Sequence, residues 1–182
     1  MIRFYKTQAQ LEAFCSRLKL ILCPHCQLSG FLILHGYLYG YSEHSDSQQI
    51  IRGRRIFCSN RNNRRGCGKT SSILSAGLLP KFIIGAQSLW RFFDNIKKGA
   101  NPACAFRDAG CKMARTSIYR LLKKLSINQV RIRSFLTRIK DPPAAGHAKN
   151  PVIQTILHLN HVFAGTDCPI TEFQHRFQTP FF

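Results

Sequence analysis

Four cysteines constrain this chain more than any other feature. Cys23 and Cys26 enclose two residues in CPHC, while Cys58 and Cys67 enclose the octapeptide SNRNNRRG. Zinc takes four soft ligands at the corners of a tetrahedron, and two hairpin loops carrying two thiolates each supply that set. The first pair has the usual spacing of a metal knuckle. Cys67-Gly68 has the form of the end of a second, since glycine after the last ligand frees the backbone to turn. The departure is eight residues between Cys58 and Cys67 where two are usual. They must bulge out as a basic loop, which their Asn, Arg and Gly content allows. Four thiolates leave no position for water, so the expected role of Zn2+ is structural. The competing reading is four reduced thiols with no metal. His25, inside the knuckle, is expected to face solvent rather than compete as a ligand. Cys15, Cys104, Cys111 and Cys168 are expected to be small buried hydrophobes.

The amino terminus, MIRFYKTQAQLEAFCSRLKLILC, lacks the long apolar core of a secretory signal. The apolar stretch from Leu28 to Tyr41 is interrupted by Gly36, Gly40 and His35, too short and too polar to span a bilayer. Both features predict a cytoplasmic protein with no membrane partner. Thiols stay reduced there, and clustered cysteines point to metal rather than to disulfides.

Thr7 with Gln10 reads as a capping box for a helix over 8–19, with Leu11, Phe14, Cys15 and Leu18 as its apolar face. Residues 31–41, FLILHGYLYGY, and 50–57 read as strands. A polar loop separates them, an Arg/Asn/Gly-rich loop follows over 58–69, and 70–74 forms a short third strand. After Pro80 the period becomes helical. Leu89, Phe92, Phe93 and Ile96 mark a helix over 86–98, Asn101-Pro102 opens a second to 109, and Thr116 or Ser117 caps a third carrying Ile118, Leu121, Leu122 and Leu125. A fourth spans 127–139, DPPAAG at 141–146 is a linker, and Asn150-Pro151 starts a last helix to about Phe163. The remaining tail shows no clear periodicity. The expected fold class is α+β, a small β zinc ribbon followed by an α-helical helix-turn-helix bundle. Its expected parts are an N-terminal helix (1–20), the ribbon (21–79), the helix-turn-helix unit (80–140) and a C-terminal helical tail (141–182).

Charge decides what such a protein meets. The chain holds 27 Lys and Arg against 8 Asp and Glu, a net charge of +19. All of the excess lies between Arg52 and Lys140, with seven bases and no acid over 52–69 and nine bases and no acid over 112–140. A solvated face usually mixes signs, so a one-sided excess of this kind calls for a polyanion, with nucleic acid first. The few carboxylates are scattered. A nuclease or transposase needs two or three of them converging on metal ions, and no such pattern is present, so the expectation is a non-enzyme.

Residues 86–125 (LWRFFDNIKKG, NPACAFRDAG and TSIYRLLKKL) look like a helix-turn-helix, whose last helix enters the major groove by its amino-terminal turns. Arg115 and Ser117 would stand at the leading end, with Tyr119, Arg120, Lys123 and Lys124 on the outward face. Arg52, Arg54, Arg55, Arg61, Arg64 and Arg65 would complete the other half of a DNA clamp. Together with CPHC, the following HGY and RGRRIFCSNRNNRRGCGKT, this segment resembles zinc-ribbon/helix-turn-helix DNA-binding proteins of bacterial insertion sequences. The resemblance covers about residues 20–125. It implies metal ligands at Cys23, Cys26, Cys58 and Cys67, and duplex DNA as partner, in transposition or regulation. A full transposase of that kind would add a catalytic core resembling ribonuclease H. Residues 126–182 hold only Asp141, Asp167 and Glu172, so cleavage is not implied. The alternative is an RNA-binding or ribosome-associated ribbon, in which 52–69 and the aromatic strand 31–41 contact RNA by charge and stacking. The helix from Val152 to Phe163 is a candidate for a protein partner or self-association, with core packing the commoner explanation.

Overall fold

The computed structural model describes residues 2–43, 48–63, 65–111, 115–144 and 150–182, with Arg115 described in its backbone alone. These residues form a mixed α+β fold with a four-stranded sheet and six α-helices. The order along the chain is β1 (Ile2–Tyr5), α1 (Gln8–Ser16), β2 (Leu32–Tyr41), β3 (Gln49–Cys58), β4 (Thr70–Ser75), α2 (Ala86–Lys97), α3 (Pro102–Asp108), α4 (Arg115–Leu136), α5 (Pro151–Val162) and α6 (Pro169–Phe177). The strands lie in the order β1-β4-β3-β2; β1 runs parallel to β4 and the other pairs are antiparallel.

The first twenty residues therefore contain a strand as well as the expected helix. IRFY pairs Ile2 with Ser72 and Tyr5 with Ser75, extending the sheet at one edge. Thr7 caps α1 by accepting from the Gln10 N–H at 3.2 Å, while the Gln10 amide reaches back to the Lys6 N–H rather than to that of Thr7. The helix ends at Ser16, short of the expected 19, and a 3-10 turn over Leu18–Leu20 leads into CPHC. Leu11 and Leu18 pack with Leu32, Ile56, Ile73, Cys23 and Cys58 in one buried cluster, so α1 shares the core that surrounds these two cysteines.

A second and larger core joins α2 to α6. Leu89, Phe92 and Phe93 of α2 are fully buried, and they meet Phe106 of α3, Ile118, Leu121 and Leu125 of α4, and Ile156, Leu159, Ile170 and Phe173 of α5 and α6. The two helices expected over 116–125 and 127–139 are one, α4, of 22 residues. No Gly or Pro interrupts it, and Leu125 to Ile132 is a step of seven that keeps the buried stripe on the same face. Asn101 and Asn150 cap α3 and α5 through side chains that accept from the N–H two residues on, with Pro at the first helical position, as the sequence predicts.

The tail without periodicity holds α6 and a buried end. Phe181 is fully buried against Phe93 and Phe173, and the Arg131 guanidinium donates to the carbonyls of Pro180 and Phe181. Gln178 pairs with the free edge of β1, its Oε1 accepting from the Phe4 N–H at 2.9 Å and its Nε2 donating to the Phe4 carbonyl at 3.0 Å. Gln174, buried in α6, donates to the carbonyls of Ala76 and Leu78 and accepts from the Phe181 N–H.

Candidate metal centre and basic surfaces

The first knuckle is shaped by local hydrogen bonds. The Gln27 N–H donates to the Cys23 carbonyl and the Cys23 N–H to the Leu28 carbonyl, which turns the chain tightly enough to put both thiols on one side. Gln27 takes a positive φ of 59° to close it. Opposite, the Gly68 N–H donates to the Cys58 carbonyl, and Gly68 adopts φ +72°, which explains the glycine after the last ligand. The long second loop also finds its geometry here. A Cβ on Gly66 would lie 2.1 Å from the Ser59 carbonyl oxygen, so the two arms of the loop close on each other directly behind the ligands. Ser59 and Gly66 thereby occupy the places of the two residues of an ordinary knuckle, and Arg61 and Arg65 between them are exposed.

The four sulfur atoms lie within 4.8 Å of one another. Cys23 and Cys67 are 3.7 Å apart, as are Cys26 and Cys58. Ligands about 2.3 Å from a tetrahedral zinc stand about 3.8 Å from each other. A disulfide needs about 2 Å, and all four cysteines are free. The arrangement can therefore hold a metal ion. Cys23 and Cys58 are buried, while Cys26 and Cys67 are part-exposed. The N–H groups of His25 and Cys67 point at the sulfurs of Cys23 and Cys58, at 3.4 and 3.3 Å, and favour thiolates there. Burial opposes ionisation at both sites. At Cys23 the N–H donors of Cys26 and His25 outweigh burial and bring the thiol down to about 7. At Cys58 burial, together with the neighbouring sulfurs, pushes the thiol up to about 12. The first negative charge is thus accommodated by the backbone, and later ones need a cation among them. His25 is exposed as expected, with Nε2 3.5 Å from the Ser71 hydroxyl. Of the other cysteines, Cys168 is buried as expected, Cys15 and Cys111 are part-buried, and Cys104 is exposed on α3, contrary to expectation.

The basic residues separate into two sets. Arg52, expected on DNA, instead points into the protein. A Cβ on Gly40 would lie 2.3 Å from its Cδ, so the absence of a side chain there lets Arg52 cross β2. Its guanidinium then donates to the carbonyls of Phe82 and Leu79. Burial draws its pKa down and Glu43 partly offsets that. Glu43 in turn accepts from the Gly85 N–H and the Ser88 hydroxyl at the start of α2. Arg131, likewise counted among the basic excess, is held by the tail carbonyls, and Arg133 donates to Gln154. Arg54 lies over the Tyr37 ring at 4.4 Å, and Arg55, Arg61 and Arg65 are exposed. Arg64, the Arg115 side chain and the turn at 112–114 lie outside the described residues.

On α4, Ile118, Leu121 and Leu125 are buried as expected. Tyr119, Arg120, Lys123 and Lys124 are exposed, and Ser117 is part-exposed. Among the carboxylates once weighed for catalysis, Asp94 bonds Lys97 at 2.5 Å and Lys98 at 2.6 Å. Burial opposes its ionisation, but the two ammonium groups outweigh it and hold the carboxyl below its usual value. Asp108 accepts from Arg107. Among the described residues the four cysteines are the only group of three or more Cys, His, Asp or Glu placed to share a metal ion. No helix of those residues is long and apolar enough to cross a membrane. Comparison with protein-family models, with curated proteins and with solved structures finds no match to this chain.

Proposed function

We propose that the chain is a DNA-binding protein that uses one structural Zn2+ at Cys23, Cys26, Cys58 and Cys67 to hold its ribbon, and presents α4 to the major groove of duplex DNA. The observation that carries the reading is the division of α4. Its inward stripe is fully buried, and its outward stripe of Tyr119, Arg120, Lys123 and Lys124 is exposed with no acid beside it in sequence. Gly110, with φ +74°, follows α3, which packs against α4, and α2 packs against α3, the order of a helix-turn-helix. Zinc is favoured over other metals by four thiolates at tetrahedral spacing, with every corner filled by protein. Such a protein serves transposition as an accessory or acts as a small regulator.

Titration of the intact protein against duplex oligonucleotides at several salt concentrations tests this. With roughly six phosphates neutralised by the bases that remain outward, log K against log salt should slope at about −5. Lys123→Ala should lower that slope by about one and weaken binding to all sequences alike. A triple replacement of Arg120, Lys123 and Lys124 by Ala that binds duplex as the parent does would overturn the assignment of α4.

A further inference from the structure

The sheet carries an exposed aromatic surface that duplex binding through α4 does not use. On the face of β2 that continues beyond α1, Leu34, Tyr37, Tyr39 and Tyr41 are all exposed, Tyr39 at 61%. Across the pair, Arg54 stands opposite Tyr37, and Ile51, itself 56% exposed, stands opposite Tyr39. A shift in register between Leu34 and Tyr37 re-aims the strand so that the tyrosines stay on the side of Ile56 and Arg54 despite the odd step of three residues. From Tyr39 to Tyr41 the pairing is regular, so the alternation keeps Tyr41 on this side. Leu38, pointing the other way, packs with Phe4 and Leu74. A cleft of about 300 Å³, walled by Gln8 and Leu11 of α1 and by Tyr37, Ile51 and Arg54, opens beside the row.

A contiguous aromatic surface of this kind in water needs an occupant. Charge selects which. Arg54 lies over the Tyr37 ring at 4.4 Å and brings positive charge onto this face, in a segment, 52–69, without a single acid. At the far end of β2, Glu43 is turned away onto Gly85 and Ser88. The rings of Tyr37 and Tyr39 are 6.2 Å apart and tilted by 48°, so they lie side by side rather than stacked on each other, and the exposed Tyr39 ring offers a face to a base. Bases of a duplex hide their faces in the stack and are closed to such a surface, whereas an unpaired strand offers a π-face at every nucleotide.

We propose that the Tyr37–Tyr39–Tyr41 face of β2, with Arg54, is a stacking platform for an unpaired DNA strand, separate from the duplex site on α4. This rests on the reading of the protein as DNA-binding and adds a second substrate form to it. The strand's bases stack on Tyr39 and Tyr41 and beside the Arg54–Tyr37 pair, whose guanidinium brings positive charge to the row for the strand's phosphates.

The test is anisotropy of a labelled oligo-dT of about a dozen nucleotides with the full, zinc-loaded protein, run beside the duplex and an oligo-rU of the same length. Tyr39→Ala should weaken oligo-dT binding roughly tenfold and leave duplex binding within twofold. Tyr39→Phe should bind oligo-dT as the parent does, because stacking needs the ring and not the hydroxyl. Circular dichroism and zinc content unchanged in Tyr39→Ala would show that the loss is local, and Tyr41→Ala gives a second reading of the same surface. Undiminished oligo-dT binding in both alanine variants, or no oligo-dT binding by the parent, overturns the platform. A preference for oligo-rU beyond tenfold overturns the choice of DNA. Oligo-dT binding that needs Tyr39 in a protein that ignores duplex would sink the α4 reading and leave the platform standing.

Discussion

At Cys58 a single replacement removes a metal ligand and a piece of the core together. The residue is fully buried, packs in the cluster of Leu11, Leu18, Leu32, Ile56 and Ile73, and its sulfur sits 3.7 Å from that of Cys26. That cluster is small, so under the proposed function the ribbon should depend on a bound ion for stability, as small zinc domains do when the metal contributes about 10 kcal/mol or more. Cys58→Ser should drop the zinc content from about one per chain to near none and unfold the ribbon, read by atomic absorption and by proteolysis within residues 20–75. A variant with unchanged zinc and an unchanged melt would rule out this ligand set. That Cys23, Cys26, Cys58 and Cys67 could share a metal was legible in the sequence, because thiol chemistry and spacing are written in the residues. Arg52 could not, since a guanidinium in a basic run looks like any other. What turns it inward is the missing side chain at Gly40 and the open carbonyls of Leu79 and Phe82 on a segment 27 and 30 residues away.

Elements with an uninterrupted apolar stripe or a clear cap were legible: α2, α3 and α5 lie close to their expected bounds because Leu89/Phe92/Phe93, Asn101-Pro102 and Asn150-Pro151 are local signals. β1 was not, because four residues of IRFY gain strand structure only from their pairing with β4 about 70 positions on. α6 was hidden by Gln174, a polar residue on the buried face of Ile170, Phe173 and Phe177, whose amide is paid for by three backbone partners. A comparable polar anchor joins α5 to the end of α4. His158 is fully buried, its Nε2 is 2.9 Å from the Lys140 carbonyl, and its Nδ1 has no partner among the described residues. Burial is the main force lowering its pKa from 6.5, with Arg133 and His161 adding to it. A base with a lowered folded-state value stays neutral in the fold while the unfolded chain takes up a proton, so stability is intact above about pH 6.5 and declines as pH falls toward the folded-state value. Urea midpoints at pH 7.5 and 5.5 should fall with acid in the parent at up to about 1.4 kcal/mol per pH unit from this group, and less steeply in His158→Gln. Equal slopes in the two proteins would contradict this role for His158.

For the whole molecule, the question is what makes two cores behave as one. The sheet and the helices have separate apolar clusters, and polar anchors cross between them: Arg52 to Leu79 and Phe82, Glu43 to Gly85 and Ser88, Gln174 to Ala76 and Leu78, and Gln178 to the backbone of Phe4. Two of the four come from the last helix and its cap. The end of the chain is therefore a clasp, and Phe181 is the residue that seats it, fully buried among Phe93, Phe173 and Phe182, with its N–H on Gln174 and its carbonyl on Arg131. Phe181→Ala leaves a cavity at that point and should cost about 3–5 kcal/mol. In a chain of this size each kcal/mol moves the melting temperature by about 2–4 °C, so the loss should approach or exceed 10 °C in a far-ultraviolet melt. The strand end should loosen with it, because Gln174 and Gln178 hold Ala76, Leu78 and Phe4 only while the clasp is seated. Amide exchange should then speed up at Phe4 on β1, remote in sequence from position 181, as well as around α6. A melt lowered by less than about 1 kcal/mol, or faster exchange confined to α6, would mean that the tail lies on the fold without fastening it.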